Sequence, residues 1–263
     1  MMGMFANTQR RPFGAVSGAL TRLIEGFCRN TPVQRGLAFL FPGECVLCGK
    51  TLRVDALYGV CGPCLREARA AFPPAEARGR CAGCGRPLIS EEGVCMSCRR
   101  RGPTASDRVF SLFPYGGKYK PLLSAYKFGA RRETGAFFAE CLVRSVPLFG
   151  ETDALVPVPP RHGKIKASGW DQIEWLMRIV ERGRPASVPP VSRCLERLPS
   201  ESQKALNRAG RASNLRGKIR VKAGVPRRAL LVDDVYTTGA TMHECAAALK
   251  AAGSESVNGL CLF

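Results

Sequence analysis

The sequence predicts an α/β protein: a parallel sheet flanked by helices, preceded by a small Cys-rich domain. Three observations carry this. From about residue 107 short apolar runs alternate with stretches of helical periodicity, the pattern of a parallel sheet. Before that point, between residues 43 and 101, eight of the 13 cysteines fall into four Cys-x2-Cys pairs. The length, 263 residues, gives at about 150 residues per domain one full domain and something smaller, enough to bury a core without covalent staples.

The chain divides accordingly. Residues 1–42 read as a basic leader with short helices; Leu20, Leu23, Ile24 and Phe27 share a helical face, and Leu37 to Phe41 form a second apolar patch ending at Pro42. This leader docks on the next domain or lies on a membrane surface. Residues 43–101, rich in Gly, Pro and Arg and poor in core residues, need a metal to fold. In 107–263, Asp107 to Tyr115 reads as a strand running into a turn at Gly116-Gly117, and 133–146 as a helix. Ala154 to Pro159 reads as a buried strand. Trp170, Ile173, Leu176, Met177 and Val180 form a helical stripe. Arg228 to Asp234 is a second buried strand, 239–252 a helix closed by Gly253, and 256–263 a last strand. Between Arg184 and Arg228 the chain reads as a basic loop. Residues 161–228 hold 17 Lys and Arg against 5 Asp and Glu.

Composition narrows the function. With 45% hydrophobic and 23% charged residues, the chain is not wholly disordered, collagen-like or a multi-span membrane protein. It has no run of 18 apolar residues and so no predicted transmembrane segment. A cleavable secretion signal is absent from the pattern, so a cytoplasmic address is expected, with the inner membrane face as the peripheral alternative. The net charge of +19 points to an anionic partner, whether nucleic acid, phosphorylated metabolite or acidic membrane; the bland alternative is a solubility device. His162 and His243 are the only histidines, which excludes a His-rich metal site.

The cysteine pairs are Cys45/Cys48, Cys61/Cys64, Cys81/Cys84 and Cys95/Cys98. Each turn presents two thiolates to one ion, and two turns complete a closed tetrahedral zinc site, so two structural, non-catalytic zincs are expected. The spacing leaves the pairing open between sequential (45/48/61/64, then 81/84/95/98) and interleaved; shorter loops favour the first. Gly49 and Gly85 follow the second cysteine of a pair, where a turn can need positive φ. Disulfides are the first alternative. Redox chemistry at Cys61-Gly62-Pro63-Cys64 is the second, and it needs a preceding strand and a following helix. Cys28, Cys141, Cys194, Cys245 and Cys261 read as ordinary thiols.

The segment Leu230 to Thr241 carries the most chemistry. An apolar strand delivers Asp233 and Asp234 at its carboxyl end, and a turn holding Thr237, Thr238, Gly239, Ala240 and Thr241 opens a helix. Ligands of open α/β sheets sit at that edge, and a helix N-terminus offers N–H groups and a positive dipole end to a phosphate. Paired carboxylates can accept from vicinal sugar hydroxyls or help hold Mg2+. Together these suit a 5-phosphorylated ribose; the alternative is a plain strand–turn–helix with capping threonines. No GxxxxGK[ST] or GxGxxG motif occurs.

This segment resembles the 5-phosphoribosyl-1-pyrophosphate (PRPP) signature of type I phosphoribosyltransferases. With the cysteine pairs, residues 40–263 resemble the ComF family, competence-associated proteins with a zinc ribbon ahead of a type I phosphoribosyltransferase-like domain. The matches run in order: Val156-Pro157-Val158-Pro159; then Arg161, Lys164 and Lys166; Gly169-Trp170-Asp171-Gln172 for the family's GFNQ; Ser200-Glu201-Ser202-Gln203; and Arg211-Ala212-Ser213-Asn214. Tyr126-Lys127-Phe128 and Arg131-Arg132-Glu133 fit the family's basic segment after the ribbons. Ser168 stands where the family has arginine, and Asp171 where it has asparagine; an aspartate there repels a pyrophosphate unless neighbours offset it. The resemblance implies that Asp233 and Asp234 hold the ribose hydroxyls and 237–241 cradle the 5′-phosphate. It puts Arg161, Lys164 and Lys166 near the pyrophosphate, with His162 beside them. It also makes 195–217 a mobile flap bringing Gln203, Arg211 and Asn214 to the site. It implies Mg2+ with PRPP as ligand and names no catalytic residue. It leaves open whether the protein turns PRPP over as a Mg-dependent phosphoribosyltransferase or only binds it. It further implies a role in uptake of single-stranded DNA in natural transformation, with a helicase or channel as partner for the ribbons. Tyr115, Tyr119, Tyr126 and Phe128, among the basic residues of 118–132, are candidate base-stacking rings.

Overall fold

The computed structural model describes residues 43–52, 58–70, 79–128, 131–161, 163–199, 217–222 and 224–263. The expected leader, His162, Gln203, Arg211 and Asn214 lie outside the described residues.

Six strands are described: β1 (Arg108–Ser111), β2 (Ala154–Pro157), β3 (Leu195–Arg197), β4 (Ile219–Val221), β5 (Arg228–Asp233) and β6 (Ser256–Cys261). Four make a wholly parallel sheet in the order β1-β6-β5-β2, with Leu231 in register with Val156 on one side and Gly259 on the other. Alternation of side chains explains why β5 reads as a continuous apolar run. Leu230 and Val232 face one core, Ala229 and Leu231 the other.

Seven α-helices among the described residues accompany them: α1 (Gly62–Ala70), α2 (Met96–Arg101), α3 (Lys120–Lys127), α4 (Thr134–Ser145), α5 (Lys164–Ser168), α6 (Gln172–Arg182) and α7 (Ala240–Ala251). Helices α4 and α6 pack on the first core, α7 on the second. The α4–α6 approach is close: a Cβ on Gly135 would sit 3.2 Å from both Ile179 Cδ1 and Trp175 Cδ1.

Three expectations are corrected. The stretch 184–228 is not all loop, because β3 and β4 pair antiparallel and Leu195 joins the second core. Trp170 lies outside the helix it was assigned to: α6 starts at Gln172 with Asp171 as its N-cap, and the Trp170 ring stands edge-on to Tyr126 at 5.4 Å. Tyr119 and Tyr126 cannot stack bases, since they are 8% and 0% exposed and Tyr126 Oη donates to the Gln172 carbonyl at 2.6 Å. They belong to an aromatic core with Phe113, Phe137, Phe138 and Phe263. Tyr115 and Phe128 are exposed.

The Cys-rich segment packs into the larger core. Tyr58, Val60, Leu65 and Ala68 join the cluster beneath α4. Arg69 of α1 pairs with Oε2 of buried Glu140 of α4 at 2.8 Å, Tyr58 Oη donates to that same oxygen at 3.2 Å, and Arg144 reaches Oε1 at 2.6 Å. A buried carboxylate so partnered is fixed in place, and removing both cations would strand its charge.

Candidate functional site

The cysteines gather as two quartets, Cys45/Cys48/Cys61/Cys64 and Cys81/Cys84/Cys95/Cys98, with all four sulfurs of each within 4.8 Å of one another. The pairing is sequential. Cys48 and Cys61 sulfurs lie 3.6 Å apart and those of Cys84 and Cys95 3.7 Å, too far for disulfides. A tetrahedral ion with bonds of about 2.3 Å needs sulfur–sulfur edges of about 3.8 Å, so both quartets are compatible with structural zinc.

The two halves repeat each other bond for bond. Gly49 N donates to Cys45 O and Gly85 N to Cys81 O; Val46 N to Gly59 O and Ala82 N to Gly93 O; Leu52 N to Gly43 O and Leu88 N to Gly79 O. Gly49 and Gly85 have φ of 72° and 69°, the left-handed turn the sequence suggested. The Cys61 and Cys95 amides donate to the Cys45 and Cys81 sulfurs at 3.3 and 3.2 Å. Burial raises the Cys45 and Cys81 thiols, but these amides and other backbone donors outweigh it and bring both down to about 7. The other described cysteines, Cys141, Cys194, Cys245 and Cys261, are buried.

A second feature is a cleft of about 630 Å3 at the carboxyl edge of β2 and β5, within the range of ligand sites. Of the residues the sequence singled out, Asp233, Asp234, Thr237, Thr238, Ala240, Thr241, Arg161 and Lys164 line it together. Lys166 is exposed on α5 and outside the lining. Gly239 lies behind the lining: it is buried, has φ +75° and N-caps α7. Two lining cations escaped the sequence reading. Lys127 Nζ sits 2.6 Å from Asp234 Oδ2, and Arg197 of β3 reaches the cleft from a strand that had read as loop.

Charge in the cleft is arranged asymmetrically. Lys127 offsets Asp234, whereas burial, then the adjacent Asp234 carboxylate, push Asp233 up to about 7; the Asp234 amide, donating to Asp233 Oδ1 at 2.8 Å, opposes this. Burial and the nearby Arg161 hold Arg197 below its usual range. Asp171, the residue that departs from the family's asparagine, is neutralised. Its Oδ1 accepts from the Ile173 and Glu174 amides at 3.0 Å, and its Oδ2 meets Lys164 Nζ at 2.5 Å. Aspartate and asparagine serve about equally well as N-caps, so the substitution keeps the turn and takes up one lysine. Much of the basic charge of 161–228 is likewise paired: Arg193 with Glu174 and Glu181, Arg220 with Glu196, Arg228 with Asp153. His243 is structural, its Nδ1 accepting the Ala105 amide at 3.1 Å.

The second ribbon braces the threonine loop from behind. Arg101 Nη1, three residues beyond Cys98, donates to Tyr236 Oη at 2.7 Å, and its guanidinium lies 5.5 Å from the ring centre. Tyr236 packs on the second cysteine quartet and fills the space where a side chain on Gly239 would go. Gly85 lets this ribbon approach the sheet, since a Cβ there would fall 2.7 Å from Phe110 Cα in β1.

A parallel-sheet domain with a carboxyl-edge cleft, fronted by two four-cysteine knuckles, defines a class of small ribbon-bearing α/β proteins. No family model matches the chain. It is 28% identical over 238 residues to the DNA utilization protein YhgH of Escherichia coli, covering 84% of this chain and 96% of the relative. It is 26% identical over 228 residues to Competence protein F of Haemophilus influenzae (82% and 95%), and 24% over 227 residues to Competence protein ComFC of Streptococcus pneumoniae (81% and 96%). Similarity to these proteins over more than four fifths of the chain supports the resemblance to the ComF family.

Proposed function

We propose that the carboxyl-edge cleft binds a 5-phosphoribosyl group, as in PRPP or a related ligand, and that the protein serves the handling of single-stranded DNA during uptake. The observation that carries the first half is the convergence of Asp233, Asp234, the 237–241 loop, Arg161, Lys164 and Arg197 on one cleft. Acidic groups for sugar hydroxyls lie beside a helix N-terminus for phosphate and a cationic wall for pyrophosphate. The relatives named for DNA utilization and competence support the second half.

In this reading the loop amides and Thr237, Thr238 and Thr241 hold the 5′-phosphate, and Asp233 and Asp234 accept from the ribose hydroxyls. Arg161 and Arg197 neutralise the pyrophosphate, with Lys164, held by Asp171, beside them. Mg2+ binds through one or two carboxylates plus substrate phosphates; Asp233, which makes no ion pair with a lysine among the described residues, would supply a carboxylate, and the ion would offset charge on the pyrophosphate. The two cysteine quartets hold structural zinc. Transfer from PRPP would need positioning and charge stabilisation more than any covalent group, which the same side chains provide.

Calorimetric titration of PRPP with Mg2+ into the zinc-loaded protein tests this. Saturable binding is expected, lost in Asp233→Ala/Asp234→Ala; no binding to the folded wild type overturns the reading. Base-dependent release of pyrophosphate separates a transferase from a binder.

A further inference from the structure

A second cleft, also about 630 Å3, lies between the second ribbon and the sheet. It shares Thr237 and Thr238 with the first, so the threonine loop is a wall between them. Its chemistry is one-sided. Arg80, Arg86 and Arg101 line it, and no Asp or Glu side chain does among the described residues. This differs from the first cleft, where Lys127 and Lys164 each meet an aspartate. Three guanidinium groups around a concavity repel one another and focus a positive potential.

Two of the three are held in place. Arg80 donates to the Gly85 carbonyl at 2.8 Å with its guanidinium 4.5 Å from the Phe110 ring centre, and Arg101 is fixed on Tyr236. Arg86 is exposed and meets no carboxylate among the described residues. At the cleft sits Tyr115, 64% exposed, an aromatic face among arginines. That combination suits an unpaired base stacked beside its phosphates; a base inside a duplex has no free face to offer.

We infer that this ribbon–sheet cleft holds a segment of single-stranded nucleic acid, its phosphodiesters on Arg80, Arg86 and Arg101 and a base against Tyr115. The inference deepens the proposed DNA role and does not depend on the ribose-phosphate assignment of the neighbouring cleft.

Fluorescence anisotropy with a labelled deoxythymidine strand of about 12 nucleotides, on the zinc-loaded full chain, tests it with two variants at exposed positions. Arg86→Gln is expected to weaken binding and to make the slope of log K against log salt shallower by about 0.7, one phosphate contact on a single strand. Tyr115→Ala is expected to weaken it by between about 5-fold and 150-fold. Both variants should titrate with PRPP as the wild type does. Strand affinity and salt slope unchanged in both variants would overturn the inference. So would equal losses for a duplex and a single strand, which would make the cleft a general anion surface. If PRPP fails to bind the wild type while the strand behaves as expected, the ribose-phosphate reading falls and the strand site stands.

Discussion

Gly239→Ala should cost far more than an ordinary surface substitution, by an amount that can be apportioned. Gly239 sits at φ +75°, where an L residue pays about 1–2 kcal/mol. Its new Cβ would also fall 2.7 Å from Tyr236 Cζ, nearer still to Tyr236 Oη, and 3.0 Å from Arg101 Nη1. Tyr236 is poorly able to retreat: its ring packs on the second cysteine quartet, its hydroxyl is held by Arg101, and its amide donates to the Phe263 carbonyl at 2.6 Å. Overpacking of this kind costs about 1–3 kcal/mol. The sum, about 2–5 kcal/mol, corresponds to a fall in Tm of roughly 4–10 °C for a protein of this size. Urea unfolding of the zinc-loaded protein measures it. In a Tyr236→Ala background the steric part should vanish, leaving about 1–2 kcal/mol and a coupling of about 1–3 kcal/mol in the double-mutant cycle. A cost below about 0.5 kcal/mol, or one undiminished when Tyr236 is removed, would refute the brace between ribbon and loop.

Two further outcomes follow from the same geometry. Because each quartet is drawn from consecutive pairs, metal analysis should find two zincs in the wild type and one in Cys48→Ser/Cys61→Ser; interleaved pairing would leave none. Ionisation of Asp233 should shape the pH profile of the unliganded protein. Its folded value lies above its unfolded one, so the folded state holds the proton longer, and its contribution to stability, present below about pH 4, is lost as pH rises toward about 7. Asp233→Asn should flatten that slope in pH-dependent thermal melts, and a slope unchanged in the variant would place the titration elsewhere.

The sequence exposed some of this and hid the rest for physical reasons. Strand β5 was legible because both its faces are buried, leaving a run with no polar interruption before Asp233. The cysteine quartets were legible because metal ligation imposes spacing on the chain itself. Strands β3 and β4 left no trace: each has three residues, and only Leu195 among them is buried, so neither alternation nor length could register. Arg197 was missed with them, since a single arginine in a basic stretch carries no sign that it faces a cleft. Tyr126 was misassigned for a related reason. Its neighbour Lys127 turns to Asp234 while Tyr126 turns to the core, and composition does not tell opposite faces of one helix apart. The brace from Arg101 to Tyr236 joins residues 135 apart in sequence and was invisible for that reason.

If the 237–241 loop and the Asp233–Asp234 pair form one ribose-phosphate site, a single ligand should touch both. Backbone amide shifts recorded while ribose 5-phosphate is added test it directly. Saturable shifts are expected to concentrate at Thr237 to Thr241 and at Asp233 and Asp234. The Lys50 and Arg86 amides, in the cysteine knuckles, should stay still. Shifts confined to the ribbons, or none at the loop at saturating ligand, would contradict it.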